Sequence, residues 1–383
     1  MKLTTSGESH GKALVAIIEG LPAHLRIETS RINEALARRQ GGYGRGARQK
    51  IEKDCVEILT GVRNCQTLGS PLTLCIYNKD YENWTSVMSA EACDEEAMES
   101  KQLAKVRPGH ADLTGVVKFG QTDARNVLER ASARETAIRV AAGEVYRSYL
   151  STLGVEVAGY TCEVCGVKDE KAHTFEEVCG AKNTELGMLD NRLETLAKEK
   201  IAALKAAGDT AGGVVELRVK GLKCGFGSVM TYAEKLDARL AQGLMSIQAA
   251  KGVEFGLGFA VAEKCGSEAH DEIFYDEAKG IYRNTNHAGG IEGGMSNGEE
   301  IVIRVAMKPI PTLMKGLKTI DYQTKEEATA AAERSDVCAI YAFGVIAEAV
   351  VSQVIADAVA ERLGGDTMEQ VVKRYNELVY GNY

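Results

Sequence analysis

One apolar segment constrains the fold of this chain more than any other feature of its sequence. It extends from Ala339 to Leu363, predicts an apolar helix, and is ended by Gly364-Gly365. Charged residues interrupt it, so no stretch reaches the roughly 18 uncharged apolar residues that span a membrane. The chain has 383 residues, 45% of them hydrophobic, and can therefore bury a large core without disulfide or metal crosslinks.

Strands and helices are both predicted along the rest of the chain. Strands are predicted at 15–18, 56–61, 72–77, 214–220 and 300–307, the last two from alternating apolar and polar residues. Helices are predicted at 31–39, capped by Thr29 or Ser30, and at about 124–150. The segment at about 168–208 is charged, helical and peripheral. Because no linker, low-complexity tract or short repeat is present, we predict one interwoven α/β (α+β) domain over residues 1–383.

Composition indicates where in the cell the protein is expected and which kinds of partner it is expected to bind. The first eight residues lack the apolar core of a signal peptide, so a cytoplasmic location is expected. The ten cysteines have no framework spacing and are expected to be free thiols. The Cys162–Cys165 pair leaves a zinc site as an alternative, but no second such pair completes it, and we expect no metal. The net charge of −8 argues against a nucleic-acid surface.

Arginine is nonetheless concentrated in a glycine-rich loop, Arg38–Arg48. Four arginines alternate there with four glycines. Glycine lets the backbone approach a ligand closely, and guanidinium groups bind phosphate or carboxylate through two parallel hydrogen bonds. The loop therefore favours an anion site over its alternative, a solvated basic loop.

Two further segments combine arginine with other reactive side chains. In Arg107-Pro108-Gly109-His110-Ala111-Asp112, a histidine follows a rigid Pro-Gly turn, which suits an anion contact beside a proton donor. In Arg130–Thr136, the predicted helix places Arg130 and Arg134 one turn apart, where a bound anion would relieve their repulsion. The alternative is neutralisation by acidic neighbours.

Three other segments are less specific. Asn286–Ser296 is rich in glycine but lacks the spacing of a dinucleotide or Walker loop, so it is either a ligand-contacting loop or a plain hairpin. Asp336, beside Arg334, is either a helix cap or an acid/base group. Gly7–Gly11 places His10 between glycines, without the pattern of a nucleophile elbow.

Taken in their order along the chain, from Gly7–Gly11 to Asp336, these six segments resemble the chorismate synthase family. The resemblance extends from about Leu3 to about Leu363. It implies a β-α-β sandwich of the chorismate synthase type that assembles as a homotetramer. It also implies a lyase that converts 5-enolpyruvylshikimate 3-phosphate to chorismate and phosphate by 1,4-anti elimination. Members require reduced FMN although the reaction has no net redox change. This is the last common step of aromatic amino acid biosynthesis.

The resemblance also implies roles for individual residues. His10 is similar to the histidine that protonates the reduced flavin, His110 to the proton donor for the departing phosphate, and Asp336 to the acid near flavin N5. The residues similar to substrate clamps are Arg39, Arg48, Arg107, Arg134 and Arg334. The residues similar to flavin contacts are Arg130, Ala131, Ser132, Gln248, Ala249, Gly293, Lys308, Pro309, Ile310, Pro311, Thr312 and Arg334. Arg39 and Arg45 match family positions for NADPH contact.

The chain departs from the family pattern at two places. Ala131 stands where many relatives have serine, so a flavin contact there is expected through the backbone. Residues 340–343 read Ile-Tyr-Ala-Phe where relatives usually have Val-Pro-Ala-Ala, and the loss of proline is expected to alter the start of the last long helix.

Two rival functions remain open from the sequence. One is a flavin-dependent oxidoreductase with net redox chemistry, and the other is an RNA-binding module that uses the Arg38–Arg48 loop. The negative net charge, and the presence of only Tyr43 as a stacking residue in that loop, argue against RNA. Because no separate reductase domain is evident, we expect reduced flavin to be supplied to the enzyme, with reduction by NADPH as the alternative.

Overall fold

The computed structural model describes residues 1–46, 53–278, 280–330 and 336–378. The strands are β1 (Lys2–Ser6), β2 (Ala13–Glu19), β3 (Glu57–Thr60), β4 (Val62–Arg63), β5 (Gln66–Thr67), β6 (Leu72–Tyr77), β7 (Glu156–Val164), β8 (Val167–Lys168), β9 (Gly213–Lys220), β10 (Ala250–Phe255), β11 (Ile273–Asp276), β12 (Gly280–Arg283), β13 (Ile291–Glu292), β14 (Met295–Ser296), β15 (Ile301–Met307), β16 (Lys318–Ile320) and β17 (Glu327–Thr329). The helices are α1 (Thr29–Gln40), α2 (Thr85–Met88), α3 (Glu95–Lys101), α4 (Asp112–Phe119), α5 (Arg125–Ala131), α6 (Thr136–Ser151), α7 (Phe175–Gly180), α8 (Asn191–Ala206), α9 (Leu236–Met245), α10 (Gly266–Ala269), α11 (Ile340–Leu363) and α12 (Met368–Glu377).

Two antiparallel sheets form the outer layers. One has the strand order β1-β2-β6-β3 and the other β10-β15-β9-β7-β8. In β15, Ile301, Ile303 and Val305 are buried, whereas the residues between them are partly exposed. This alternation, which the sequence predicts, turns one face of the sheet to the core.

Helices fill the space between the two sheets. α6 packs against β2 and β6 of the first sheet, α11 packs against β7 and β9 of the second, and the two helices pack against each other. α1 contacts both helices. This arrangement confirms the predicted β-α-β sandwich. The peripheral segment predicted at about 168–208 contains α7, which packs on β7, and α8, which packs on β8.

α11 confirms the apolar helix predicted at Ala339–Leu363. The helix is long enough and apolar enough to cross a membrane. However, 78% of its most apolar window is buried inside the structure, as in the core helix of a soluble protein. The helix ends at Gly364, which has a φ of +59°, a conformation that glycine adopts without strain.

Two local predictions are wrong. The helix predicted at about 124–150 is broken between α5 and α6, because Ser132 is extended (ψ 140°) and its hydroxyl accepts a hydrogen bond from the amide of Arg134 at 3.3 Å. Arg130 and Arg134 are therefore not one turn apart on one helix. α1 begins at Thr29 with Glu28 as its N-cap and no side-chain cap, so neither Thr29 nor Ser30 has the predicted role.

The contact between α6 and α11 is closest at Gly143. A Cβ on Gly143 would lie 2.3 Å from the Cβ of Ala349. Only glycine allows the two helices to approach to this distance. Gly344, also in α11, differs, because its nearest neighbour would be Val215 Cγ1 at an ordinary 3.6 Å.

A buried ion cluster joins the same helices. Glu348 of α11 accepts hydrogen bonds from Arg38 Nη1 (3.1 Å), Arg38 Nη2 (3.2 Å) and Arg147 Nη2 (2.9 Å). Its side chain is 6% exposed. Burial alone would raise the pKa of Glu348, but the two arginines outweigh it and hold the pKa below its ordinary value.

We predict that Gly143→Ala lowers the free energy of unfolding by about 1–3 kcal/mol, because the added methyl overpacks the interface between α6 and α11. Gly344→Ala is the matched control and should be neutral or stabilising by up to about 1 kcal/mol, because alanine favours helix. Urea unfolding measures both. Equal effects of the two substitutions would contradict the close approach at Gly143.

We predict that Glu348→Gln costs about 3–5 kcal/mol at pH 7, because it leaves buried arginines without their carboxylate. The folded-state pKa of Glu348 is lowered, so its stabilisation is complete above the unfolded-state pKa of about 4.3 and is lost as pH falls through the folded-state pKa. The difference between wild type and variant in urea unfolding should therefore shrink below about pH 4.3. Glu144→Gln is the control, because burial raises the pKa of Glu144, and removing that charge should not cost stability at pH 7. A wild-type–variant difference that does not change with pH would contradict the assignment.

Candidate active site

His10 lies in the loop between β1 and β2. Gly7 has a φ of +114°, and a Cβ there would lie 2.4 Å from a backbone carbonyl oxygen, so this turn requires glycine. Asn78 Nδ2 donates hydrogen bonds to the carbonyl oxygens of Glu8 (3.2 Å) and Gly11 (2.7 Å). These contacts hold the loop on both sides of the histidine.

Glu129 of α5 holds the His10 ring itself. Its carboxylate accepts the His10 amide at 2.8 Å, and His10 Nδ1 lies 2.9 Å from Oε2 and 3.0 Å from Oε1. Burial would raise the pKa of Glu129, but hydrogen bonds and charge from His10, together with the charge of Arg125, keep it below its ordinary value. Because an ionised carboxylate only accepts hydrogen bonds, Nδ1 carries a hydrogen and Nε2 is the nitrogen left for proton exchange.

Trp84 covers one face of the same ring. The two ring centroids are 4.1 Å apart with an angle of 29° between the planes. Trp84 Nε1 donates a hydrogen bond to Asp80 Oδ2 at 3.2 Å, and the Arg125 guanidinium lies 5.1 Å from the centroid of the indole. As a result the His10 side chain is only 14% exposed.

His110 is bound to a buried carboxylate in a similar way. Its Nδ1 lies 2.5 Å from Oδ1 of Asp112, which is fully buried at the start of α4. Asp112 also accepts hydrogen bonds from the amide of Arg107 (3.1 Å) and from its Nε (2.9 Å) and Nη2 (3.1 Å). These bonds outweigh burial and hold the pKa of Asp112 well below its usual range. The Nδ1 of His110 therefore carries a hydrogen, and Nε2 is the second nitrogen.

The segment 308–312 closes on this arginine–histidine loop. Arg107 Nη1 donates a hydrogen bond to Thr312 Oγ1 at 3.3 Å, and Lys308 Nζ donates one to the carbonyl oxygen of Gly109. A Cβ on Gly109 would lie 3.4 Å from the Cβ of Pro311. The structure thus brings the predicted phosphate-side residues together with part of the predicted flavin set.

A second group of arginines, Arg39 of α1 and Arg134, is buried around Asp54. Arg134 Nη1 donates a hydrogen bond to Asp54 Oδ2 at 2.7 Å, and Arg39 Nη1 lies 3.8 Å from the same oxygen. Arg134 Nε donates to Asn78 Oδ1 at 3.0 Å, which links this group to the His10 loop. Burial, together with the charges of Arg134 and Arg45, lowers the pKa of Arg39 to about 9 against the opposing charge of Asp54. Cationic side chains are therefore crowded at this point.

The hydrogen bonds of Arg39 nevertheless go to the protein. Its Nε donates to Thr136 Oγ1 at 2.9 Å and its Nη2 to the carbonyl oxygen of Ala133 at 2.8 Å. Arg39 therefore also fixes the junction between α5 and α6, in addition to its predicted contact with a ligand.

Asp336 faces the glycine-rich loop. Its Oδ1 accepts a hydrogen bond from the amide of Gly46 at 2.6 Å, and its Oδ2 lies 3.0 Å from Arg45 Nη1. Arg45, Asp336 and Thr312 line one cleft with a volume of about 790 Å³. Thr312 is also the residue that Arg107 contacts, so the arginine–histidine loop adjoins the wall of this cleft.

The start of α11 packs under the same loop. Tyr341 stands where relatives usually have proline, and its hydroxyl donates a hydrogen bond to the carbonyl oxygen of Lys182 at 3.0 Å. Gly42 has a φ of +102°, and a Cβ there would lie 2.8 Å from the Cβ of Tyr341. α11 begins at Ile340, and Asp336 keeps its bonds to the loop.

Several predicted flavin contacts are held by hydrogen bonds, and one of these bonds joins two members of the set, Ala249 and Lys308. Arg130 Nη1 donates a hydrogen bond to the carbonyl oxygen of Gly7 at 3.1 Å. Gln248 Nε2 donates one to Glu135 Oε2 at 3.4 Å, and the Ala249 carbonyl accepts the amide of Lys308 at 2.9 Å. The other predicted flavin contacts in these segments are their neighbours in the chain, namely Ala131, Ser132, Pro309, Ile310 and Pro311.

Three predicted residues are not placed with this group. Gly293 lies in the turn between β13 and β14, whose bonds to neighbouring segments run to Phe226 and Leu236. Among the described residues, no hydrogen bond links this turn to the rest of the predicted set. Arg48 and Arg334 lie outside the described residues.

Sequence reasoning gave no role to five side chains that shape the site. Asp112 is the last residue of the quoted motif that begins at Arg107, and Glu129 directly precedes the motif that begins at Arg130. The missed signal was that each histidine is paired with a carboxylate. Asp54, Asn78 and Trp84 carry no motif, and their roles arise only from the fold.

Comparisons with known proteins agree with this geometry. A family model described as chorismate synthase matches residues 1–360. A chorismate synthase of Caldicellulosiruptor bescii is 49% identical over 382 residues, covering 99% of each chain, and one of Geobacter metallireducens is 51% identical over 387 residues, covering 98% of each. A crystal structure of a chorismate synthase aligns with a TM-score of 0.79 at 38% identity, covering 99% of this chain and 97% of the other.

The whole length of the chain is thus matched in sequence and in fold, and the six motifs lie within the matched region. The chain therefore belongs to the chorismate synthase family, and its activity is that of a lyase in chorismate biosynthesis.

Proposed function

We propose that the chain acts on 5-enolpyruvylshikimate 3-phosphate and releases phosphate by 1,4-anti elimination, as a carbon–oxygen lyase acting on phosphates. One observation carries the proposal. Arg107 and His110 share the buried Asp112, and Arg107 donates a hydrogen bond to Thr312 of the cleft wall, so an anion-binding group and a proton donor stand together. A phosphate leaving group requires both.

At the departing phosphate, His110 is the proton donor through its Nε2. The Asp112 carboxylate fixes Nδ1, so the ring cannot turn this nitrogen towards the ligand. Arg107 binds phosphate charge, and it is 6% exposed. Ion pairs formed in a pocket that excludes water are stronger than in solution, and a protonated or ion-paired phosphate leaves more readily.

The substrate also carries two carboxylates. Arg39 and Arg134 are placed to bind such anions from the buried side, where their positive charges are crowded. Arg48 and Arg334 complete the proposed clamp. Asp336, held by Arg45 and by the amide of Gly46, assists removal of the substrate proton.

The side chains near Gln248 fit a flavin. Gln248 Oε1 is buried and has no hydrogen-bond partner among the described residues, and a ring N–H would satisfy it. Arg130 and Lys308 supply positive charge for a ligand phosphate. Reduced FMN, when bound, supplies an electron-rich ring that lends charge to the substrate and recovers it. His10 holds a proton at Nε2 beside that group.

The remaining features of the proposal concern supply and assembly. Reduced flavin is supplied to the enzyme, and NADPH bound near Arg39 and Arg45 is the alternative reductant. The protein acts in the cytoplasm as a homotetramer, without nucleic acid or membrane. Anaerobic incubation with NADPH and oxidised FMN alone distinguishes the two sources of reduced flavin, because only intrinsic reductase activity bleaches the flavin.

We predict that enzyme, reduced FMN and 5-enolpyruvylshikimate 3-phosphate, mixed without oxygen, form chorismate and phosphate in equal amounts while the flavin stays reduced. Absorbance spectra follow both chorismate and flavin, and a phosphate assay follows the leaving group. Oxidation of one flavin per turnover would instead establish a net redox reaction and overturn the proposal.

We predict that His110→Ala lowers kcat about 100-fold or more while leaving flavin affinity nearly unchanged, because the substitution removes the general acid and not a cofactor contact. Flavin titration and phosphate release under anaerobic conditions measure the two quantities. His270→Ala, at an exposed position far along the chain, is the control and should keep wild-type kcat. Weaker flavin binding with normal kcat at saturating flavin would contradict this role.

A further inference from the structure

The His10 ring is held by side chains that the proposed chemistry does not use. Glu129 binds its Nδ1, and Trp84 stacks on one face at 4.1 Å. Neither residue belongs to the anion-binding or flavin-contacting sets. The side chain of Glu129 is 1% exposed and that of His10 is 14% exposed, whereas Trp84 is partly exposed.

We propose that Glu129 and Trp84 are positioning residues for His10, which hold its ring so that only Nε2 exchanges a proton with a ligand. The proposal rests on the proposed role of His10. It adds that the orientation of the ring is set by a buried carboxylate and an indole outside the ligand-binding set.

The backbone shows that Glu129 acts on the loop and not only on the ring. Its carboxylate accepts the His10 amide at 2.8 Å, and its carbonyl oxygen accepts the amide of Ser9 at 2.9 Å. The next residue, Arg130, donates to the Gly7 carbonyl. One end of α5 therefore fixes the loop at Gly7, Ser9 and His10, and the same helix end leads into the predicted flavin contacts.

Charged side chains surround the His10 ring. Glu129 faces it directly, and Arg125 of the same helix donates to Glu129 Oε1 at 3.2 Å. From the neighbouring segments, Lys101 lies 5.4 Å from the Trp84 centroid and Asp80 accepts the indole N–H.

Trp84 makes the proposal testable without ligand, because it is the only tryptophan of the chain. A protonated imidazole stacked on indole quenches its fluorescence more than a neutral one. In the ligand-free protein, emission should therefore rise through a single transition as pH increases. His10→Gln should abolish this transition, and Glu129→Gln should move its midpoint, because an uncharged amide replaces the carboxylate that contacts the ring.

Kinetics provide the second measurement. With reduced FMN supplied, Glu129→Gln should lower kcat about 10-fold or more and change KM less than 2-fold, because a misoriented proton donor affects turnover and not substrate affinity. Glu144→Gln is the matched control, another partly buried glutamate of a helix, and should leave both the transition and kcat at wild-type values.

Glu129→Asp serves if Glu129→Gln does not fold. It keeps the charge but shortens the side chain, so the fluorescence transition should stay near its wild-type pH while kcat falls. A transition that persists in His10→Gln or stays in place in Glu129→Gln overturns the proposal, as does a wild-type kcat in Glu129→Asp. Absence of phosphate release by the wild type would instead overturn the proposed function, and the fluorescence result would stand by itself.

Discussion

Buried carboxylates that each bind two cationic side chains are the interaction on which this structure depends. Placing a charge in the protein interior costs several kcal/mol unless it is paired and hydrogen-bonded. A carboxylate with two cationic partners holds two segments of chain at once. Glu348 joins α11 to α1 and α6, and Glu129 joins α5 to the β1–β2 loop. The core and the candidate site are therefore held by the same kind of contact.

This sharing also determines the charge of the candidate site. Asp54 lies between Arg134 and Arg39, so two guanidinium groups share one carboxylate there, and Asp112 lies between Arg107 and His110. The positive charges lower the pKa of Arg39, which shows that they act on one another. A multiply charged anion would reduce this repulsion. Substrate binding would then complete the electrostatic balance that the fold leaves positive.

Local apolar patterns predicted the main elements, whereas the sandwich was implied by the resemblance to the family. β6 and α11 were found almost to the residue. The break at Ser132 was missed, because a serine hydroxyl that caps a new turn looks like any helical serine. The carboxylate contacts were missed for a different reason. Asp54 is 80 residues from Arg134, and Glu348 is 310 from Arg38, so only tertiary packing reveals these pairs.

The two histidines are positioned by a contact that no motif contains. Asp112, which holds His110, begins α4, and Glu129, which holds His10, lies in α5. The two helices pack so closely that a Cβ on Gly115 would lie 2.2 Å from Val127 Cγ1. A small buried cluster that includes residues of both helices stabilises this contact. The packing of α4 against α5 therefore sets the distance between His10 and His110. The arginine-rich loops have a different proposed role, which is to bind the anion.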